Sequence, residues 1–88
     1  VPWAYRIDER ALKDLRKLDH PTQREIFRYC DARIAGNLDP RRFGKALTGN
    51  LRGLWRYRIG DYRLICQIKD RELIVLIVSA GHRREIYR

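Results

Sequence analysis

Residues 55–68 read WRYRIGDYRLICQI, two alternating runs hinged on Gly60-Asp61. This stretch constrains the fold more than any other. Strict alternation marks strands, and Gly-Asp marks a tight turn. If the turn is a two-residue loop, Ile59 faces Tyr62, Tyr57 faces Leu64 and Trp55 faces Cys66. Those six side chains make one apolar face. The opposite face then sets Arg58 directly across from Arg63, with Arg56 one diagonal away. A one-residue slip would exchange the two faces, so the reading is sensitive to register. Like charges directly opposed on a sheet are destabilising. The pattern therefore points to an anion held among these guanidiniums, and the planar Arg fork suits a phosphodiester.

The remaining chain supplies layers for that hairpin. Trp3 to Ile7 alternates as a short strand. Asp8 offers an N-cap, and Ala11, Leu15 and Leu18 follow at helical spacing. Pro21 suits the first turn of a second helix, whose apolar stripe is Ile26, Phe27, Cys30 and Ile34 and whose stop is Gly36-Asn37. Residues 39–50 read as a basic loop. Glu72 to Ser79 is apolar on both faces, which argues for a central strand. Gly81 is expected to turn the chain sharply at its end. The expected class is α+β: an N-terminal strand, a helical hairpin, then a three-stranded antiparallel sheet (β-α-α-β-β-β), in one domain over residues 1–88.

Composition enters through charge. Twenty Lys and Arg against eleven Asp and Glu leave +9 on 88 residues. Such a chain is drawn to polyanions, with nucleic acid the first candidate partner. No apolar run reaches membrane-spanning length, and no signal peptide is expected. Cys30 and Cys66 lie in apolar patterns, which favours buried reduced thiols in a cytoplasmic protein over a disulfide. Two Cys and two His without ligand spacing give no metal site, and no cofactor is expected.

The tail, SAGHRREIYR, places His82, Arg83, Arg84 and Tyr87 after the last strand. They are expected to emerge beside Arg56, Arg58 and Arg63, adding an imidazole and a phenol to the basic face. Together these groups resemble a site that binds phosphate and moves protons.

With LRGLWRYRIGDYRL and GHRREIY in this order and spacing, the whole chain resembles a RelE-type toxin of the RelE/ParE superfamily. The resemblance implies a ribosome-dependent mRNA endoribonuclease, acting in the A site of the 70S ribosome. The substrate's own 2′-OH would attack, without metal, leaving a 2′,3′-cyclic phosphate and a 5′-OH. It implies a cognate antitoxin, and operator DNA bound only together with it. By the same resemblance Arg56, Arg58, Arg63, Arg83, Tyr87 and His82 are the catalytic set. Lys45 is a looser match to a loop Lys of the family, and with Arg41, Arg42, Arg52 and Arg84 it is expected to add RNA-binding cations. The hairpin pair here is Arg-Arg where the best-known relatives carry Lys-Lys, and Arg cannot act as a base. Tyr87 is then the first choice for the base and His82 the second. Two other functions share the charge: inhibition of DNA gyrase, as in ParE-like members, and non-catalytic nucleic-acid binding.

Overall fold

The computed structural model describes residues 2–36 and 38–86. Strand β1 (Ala4–Ile7) leads into helix α1 (Glu9–Arg16) and helix α2 (His20–Tyr29). Then come β2 (Lys45–Ala46), β3 (Trp55–Ile59), β4 (Tyr62–Lys69) and β5 (Ile74–His82). One sheet runs in the order β1-β5-β4-β3-β2. Only β1 and β5 pair parallel, and the other neighbours are antiparallel.

Each helix begins where a side chain can satisfy an orphan backbone N–H. Asp8 Oδ1 accepts from Ala11 N at 2.9 Å, and Asp19 Oδ1 from Thr22 N at 3.1 Å. Pro21 sits in the first turn of α2, where its missing N–H costs nothing. The second helix continues as a π-helical turn over Cys30–Ile34. That extra turn carries Cys30 and Ile34 into the core. Gly36 exchanges two backbone hydrogen bonds with Trp3, tying the end of the helical layer to the start of the chain. Asn37, expected as part of the helix stop, lies outside the described residues.

Both helices lie on one face of the sheet. Ala11, Leu15, Ile26, Cys30 and Ile34 bury against Tyr57, Ile59, Leu64, Cys66, Val75, Ile77 and Ala80. Each large apolar side chain buried this completely contributes about 1.5–3 kcal/mol before entropy is counted. Asp14 of α1 reaches across to the sheet, accepting from Ala80 N at 3.1 Å. Tyr57 is fully buried, and its hydroxyl donates to Pro40 O at 2.8 Å. Both cysteines are buried free thiols. Burial pushes Cys30 up to about 12 and holds Cys66 well above the usual thiol range. Among the described residues, no helix is long and apolar enough to cross a membrane.

The β3–β4 register is the one its alternation dictates: Ile59 opposite Tyr62, Tyr57 opposite Leu64, Trp55 opposite Cys66, Arg58 opposite Arg63. Gly60, at φ +58°, supplies the positive dihedral the tight turn needs at its first central position.

Three expectations are revised. The basic loop contains a two-residue strand, β2, too short to show any period. The last strand starts at Ile74 rather than Glu72, after a 3₁₀ turn over Asp70–Glu72, and runs on to His82. It also carries a bulge opposite Ile65/Cys66. Gly81 therefore makes no sharp turn. It lies within β5, opposite Arg63. The chain turns afterwards, where Glu85 N and Ile86 N both donate to His82 O.

Candidate nucleic-acid interface

Cross-strand partners share a face of the sheet. On the face away from the helices two rows run across the strands. One is Lys45, Arg56, Ile65 and Ser79, and the other is Arg58, Arg63 and Gly81. The first row ends in two cations on neighbouring strands. With Arg42, Phe43, Gly44 and Arg58 they line a cleft of ≈ 300 Å³. Four of its six lining residues are cationic and none is acidic, which makes it a ready anion site.

Gly44 matters here for a steric reason. A Cβ at that position would overlap the Trp55 indole and the Arg56 carbonyl. Without one, the wall of the cleft closes onto Trp55. Arg56 is half-buried, and its Nε has no acceptor among the described residues. A buried donor left unpaired is costly, so Arg56 Nε is available to an incoming acceptor.

The other expected site residues take different positions. Arg63 is almost fully buried, and its Nη1 donates to Gly60 O and Tyr62 O, both at 2.9 Å. Its charge is directed into the hairpin turn's carbonyls. The opposition of Arg58 and Arg63 is thus relieved within the protein, so the anion inferred from that pair alone is not required. Arg83 sits at the hairpin tip. Its backbone N donates to Asp61 O at 2.8 Å, and its Nε lies 3.7 Å from Asp61 Oδ1.

His82, expected beside the arginines, lies on the opposite face. The added length of β5 sets it opposite Tyr62, one residue out of phase with Arg63. The two rings meet edge to face with centroids 5.6 Å apart. His82 Nδ1 accepts from the backbone N of Arg84 at 3.2 Å. The cleft it lines also holds Arg10, Asp14, Lys17 and Glu85, a mixed-charge setting. Tyr87, the first choice for the base, lies outside the described residues.

Among the RNA-binding candidates, Lys45 and Arg42 line the cationic cleft, and Arg52 and Arg84 are exposed outside it. Arg41 has another task. Its Nη1 and Nη2 donate to the two Asp70 carboxylate oxygens, both at 2.8 Å, clamping the basic loop to the β4–β5 turn. That fork holds the Asp70 carboxyl below the usual range. Sequence pattern does not single out Arg33. Its guanidinium lies 5.2 Å from the Tyr29 ring centroid and 5.7 Å from that of Phe43. The i, i+4 spacing of Tyr29 and Arg33 is the one signal that could have found it.

The fold and this face define a small basic α+β domain with a cationic, acid-free cleft on its sheet. The family described as ParE toxin of type II toxin-antitoxin system, parDE, matches residues 5–87. The chain belongs to that family, within the RelE/ParE superfamily, and is a toxin of the type II toxin–antitoxin class. It is similar to Toxin RelG of Mycobacterium tuberculosis, 32% identical over 100% of this chain and 99% of that protein. Toxin RelE of the same organism is 34% identical over 99% of this chain and 88% of that protein. Among solved structures, the toxin–antitoxin complex RelBE2 from M. tuberculosis matches with TM-score 0.85 and 31% identity. That match covers 94% of this chain and 100% of the other. The intact E. coli RelBE complex matches at TM-score 0.69 and 21% identity over 91% of this chain and 95% of the other, a likeness of fold.

Proposed function

We propose that this toxin is a ribosome-dependent mRNA endoribonuclease. The observation that carries the reading is the acid-free cleft of Arg42, Lys45, Arg56 and Arg58. Its likeness to toxins named RelG and RelE supports the same activity. In this reading Arg56 and Arg58 hold the scissile phosphate and stabilise the charge that builds on its non-bridging oxygens. The substrate 2′-OH attacks phosphorus and loses its proton to the phenolate form of Tyr87, which becomes the neutral phenol. The bond to the 5′-oxygen breaks, and that oxygen takes a proton from solvent. The products are a 2′,3′-cyclic phosphate and a 5′-OH, with no metal required. Arg83, exposed at the hairpin tip, approaches the same phosphate by releasing its loose ion pair with Asp61. The ribosome supplies the geometry of the attacking hydroxyl, so naked RNA is a poor substrate. A cognate antitoxin of the kind seen in the RelBE complexes holds the toxin inactive in the cytoplasm, and operator DNA is bound by the pair.

The test is primer extension on mRNA in a translating extract, with naked mRNA alongside. New 5′ ends in the A-site codon, present with wild type and lost with Arg56→Ala/Arg58→Ala, are the expected result. A second reading, inhibition of DNA gyrase, is favoured by one observation: Arg63 and His82 are engaged internally. Intact message together with loss of gyrase supercoiling would replace the first reading by the second.

A further inference from the structure

A second basic groove lies on the other side of the free edge of β3. It has a volume of ≈ 370 Å³ and is lined by Glu25, Arg28, Tyr29, Ala32, Arg33, Arg58, Ile59 and Gly60. Residues 25, 28, 29 and 32 recur at helical spacing, so α2 and its π-helical extension present one face to the strand. That edge is open because β2 pairs only with Trp55 and Arg56, leaving Tyr57–Ile59 uncovered on that side.

Two features join this groove to the cationic cleft. Arg58 lines both. Phe43, in the cleft wall, is flanked by Arg33 at 5.7 Å and Arg42 at 5.9 Å. The Arg33 head is thereby fixed between two aromatic rings, and less rotamer entropy is given up when an anion arrives. Among the described residues Arg28, Arg33 and Arg58 form no ion pair. Glu25 is the one acidic residue in the lining. Asp31, on the same helical stretch, is taken by the Tyr5 hydroxyl, which donates to it at 2.6 Å.

We propose that Arg28 and Arg33 form a second phosphate subsite, which holds the RNA strand continuing past Arg58 from the cleft that seats the scissile phosphate. The proposal rests on the reading of that cleft given above. Charge complementarity selects the occupant: Arg28, Arg33 and Arg58 outnumber the single carboxylate of Glu25 in this groove, and with the cleft beyond Arg58 they form a row of cations across a strand edge that matches the repeating charges of a single-stranded polynucleotide.

The experiment uses the full chain and a fluorescein-labelled 2′-O-methyl RNA oligomer, uncleavable because it lacks the attacking hydroxyl. Binding is followed by anisotropy against salt. Arg28→Ala/Arg33→Gln is compared with Lys13→Ala/Arg16→Ala, an equal charge change on exposed α1. The groove pair is expected to weaken RNA roughly tenfold at low salt. It should also make the slope of log K against log salt shallower by about 0.7 for each phosphate no longer neutralised. Arg28→Ala alone, which leaves Arg33 between its two rings, should give a smaller loss of the same kind. An effect no larger than that of the α1 pair overturns the proposal. So does a loss confined to a poly-glutamate probe, which would give the groove to an acidic protein. If Arg56→Ala/Arg58→Ala binds the oligomer as wild type does, the reading of the first cleft fails instead.

Discussion

Two groups of arginines on this small toxin behave differently. Arg41 and Arg63 spend their charge inside the protein, on the Asp70 carboxylate and on the carbonyls of the hairpin turn. Arg42, Arg56 and Arg58 gather around a cleft with no carboxylate. Sequence alone does not separate them, since Arg58 and Arg63 are direct neighbours across one hairpin. The difference lies in what each head can reach. Arg63 is on the interior strand β4, and its guanidinium folds back to the turn. Arg58 is on β3, whose outer edge is open beyond β2, and its head stays exposed. An internally bonded arginine and an exposed one thus sit one strand apart.

That contrast can be broken in several ways. The largest expected effect is on the shared scaffold. Ile77→Ala removes a fully buried side chain from β5 and should cost about 2–5 kcal/mol, read by urea denaturation. A near-zero cost would mean that the core does not hold the two faces in register. Next, Arg56→Ala/Arg58→Ala should slow cleavage of ribosome-bound mRNA by about 100-fold or more. Its thermal midpoint should stay close to wild type. A large drop in stability would move these two into the structural group.

Arg63→Ala should do the reverse. It should destabilise the hairpin by about 1–3 kcal/mol, because two turn carbonyls are deprived of a charged donor. Unchanged stability with lost activity would place Arg63 among the binding arginines. The smallest effect concerns Arg41. Its clamp lowers the Asp70 pKa in the folded state, so the stabilisation is present above the unfolded carboxylate value of about 3.9. It is lost as pH falls through the lower folded value. Arg41→Ala should flatten that acid limb, and an identical pH–stability curve would show that the exposed pair contributes nothing. The thiols offer a control on folding. Burial keeps Cys30 and Cys66 protonated, so a thiol reagent at about pH 8 should label them only after denaturation.

The hairpin register and the helix-facing core were legible because alternation and turn chemistry act locally. Asp8 as a cap was legible for the same reason. Strand β2 was not, since two residues carry no period and Lys45 pairs with Arg56 only through the tertiary path of the loop. The phase of His82 was hidden because one bulge and three further strand residues decide which face it meets. Arg33 was hidden because its aromatic partners are split between its own helix and Phe43.

What these 88 residues determined by themselves is a basic α+β domain whose β3–β4 hairpin has one apolar and one arginine-bearing face, since side-chain period and turn geometry act between near neighbours. Which cations remain available to a ligand was decided only in three dimensions. An arginine's partner is whatever acceptor its long, flexible side chain can reach, and here those acceptors include a carboxylate 29 residues away for Arg41 and a carbonyl in its own turn for Arg63.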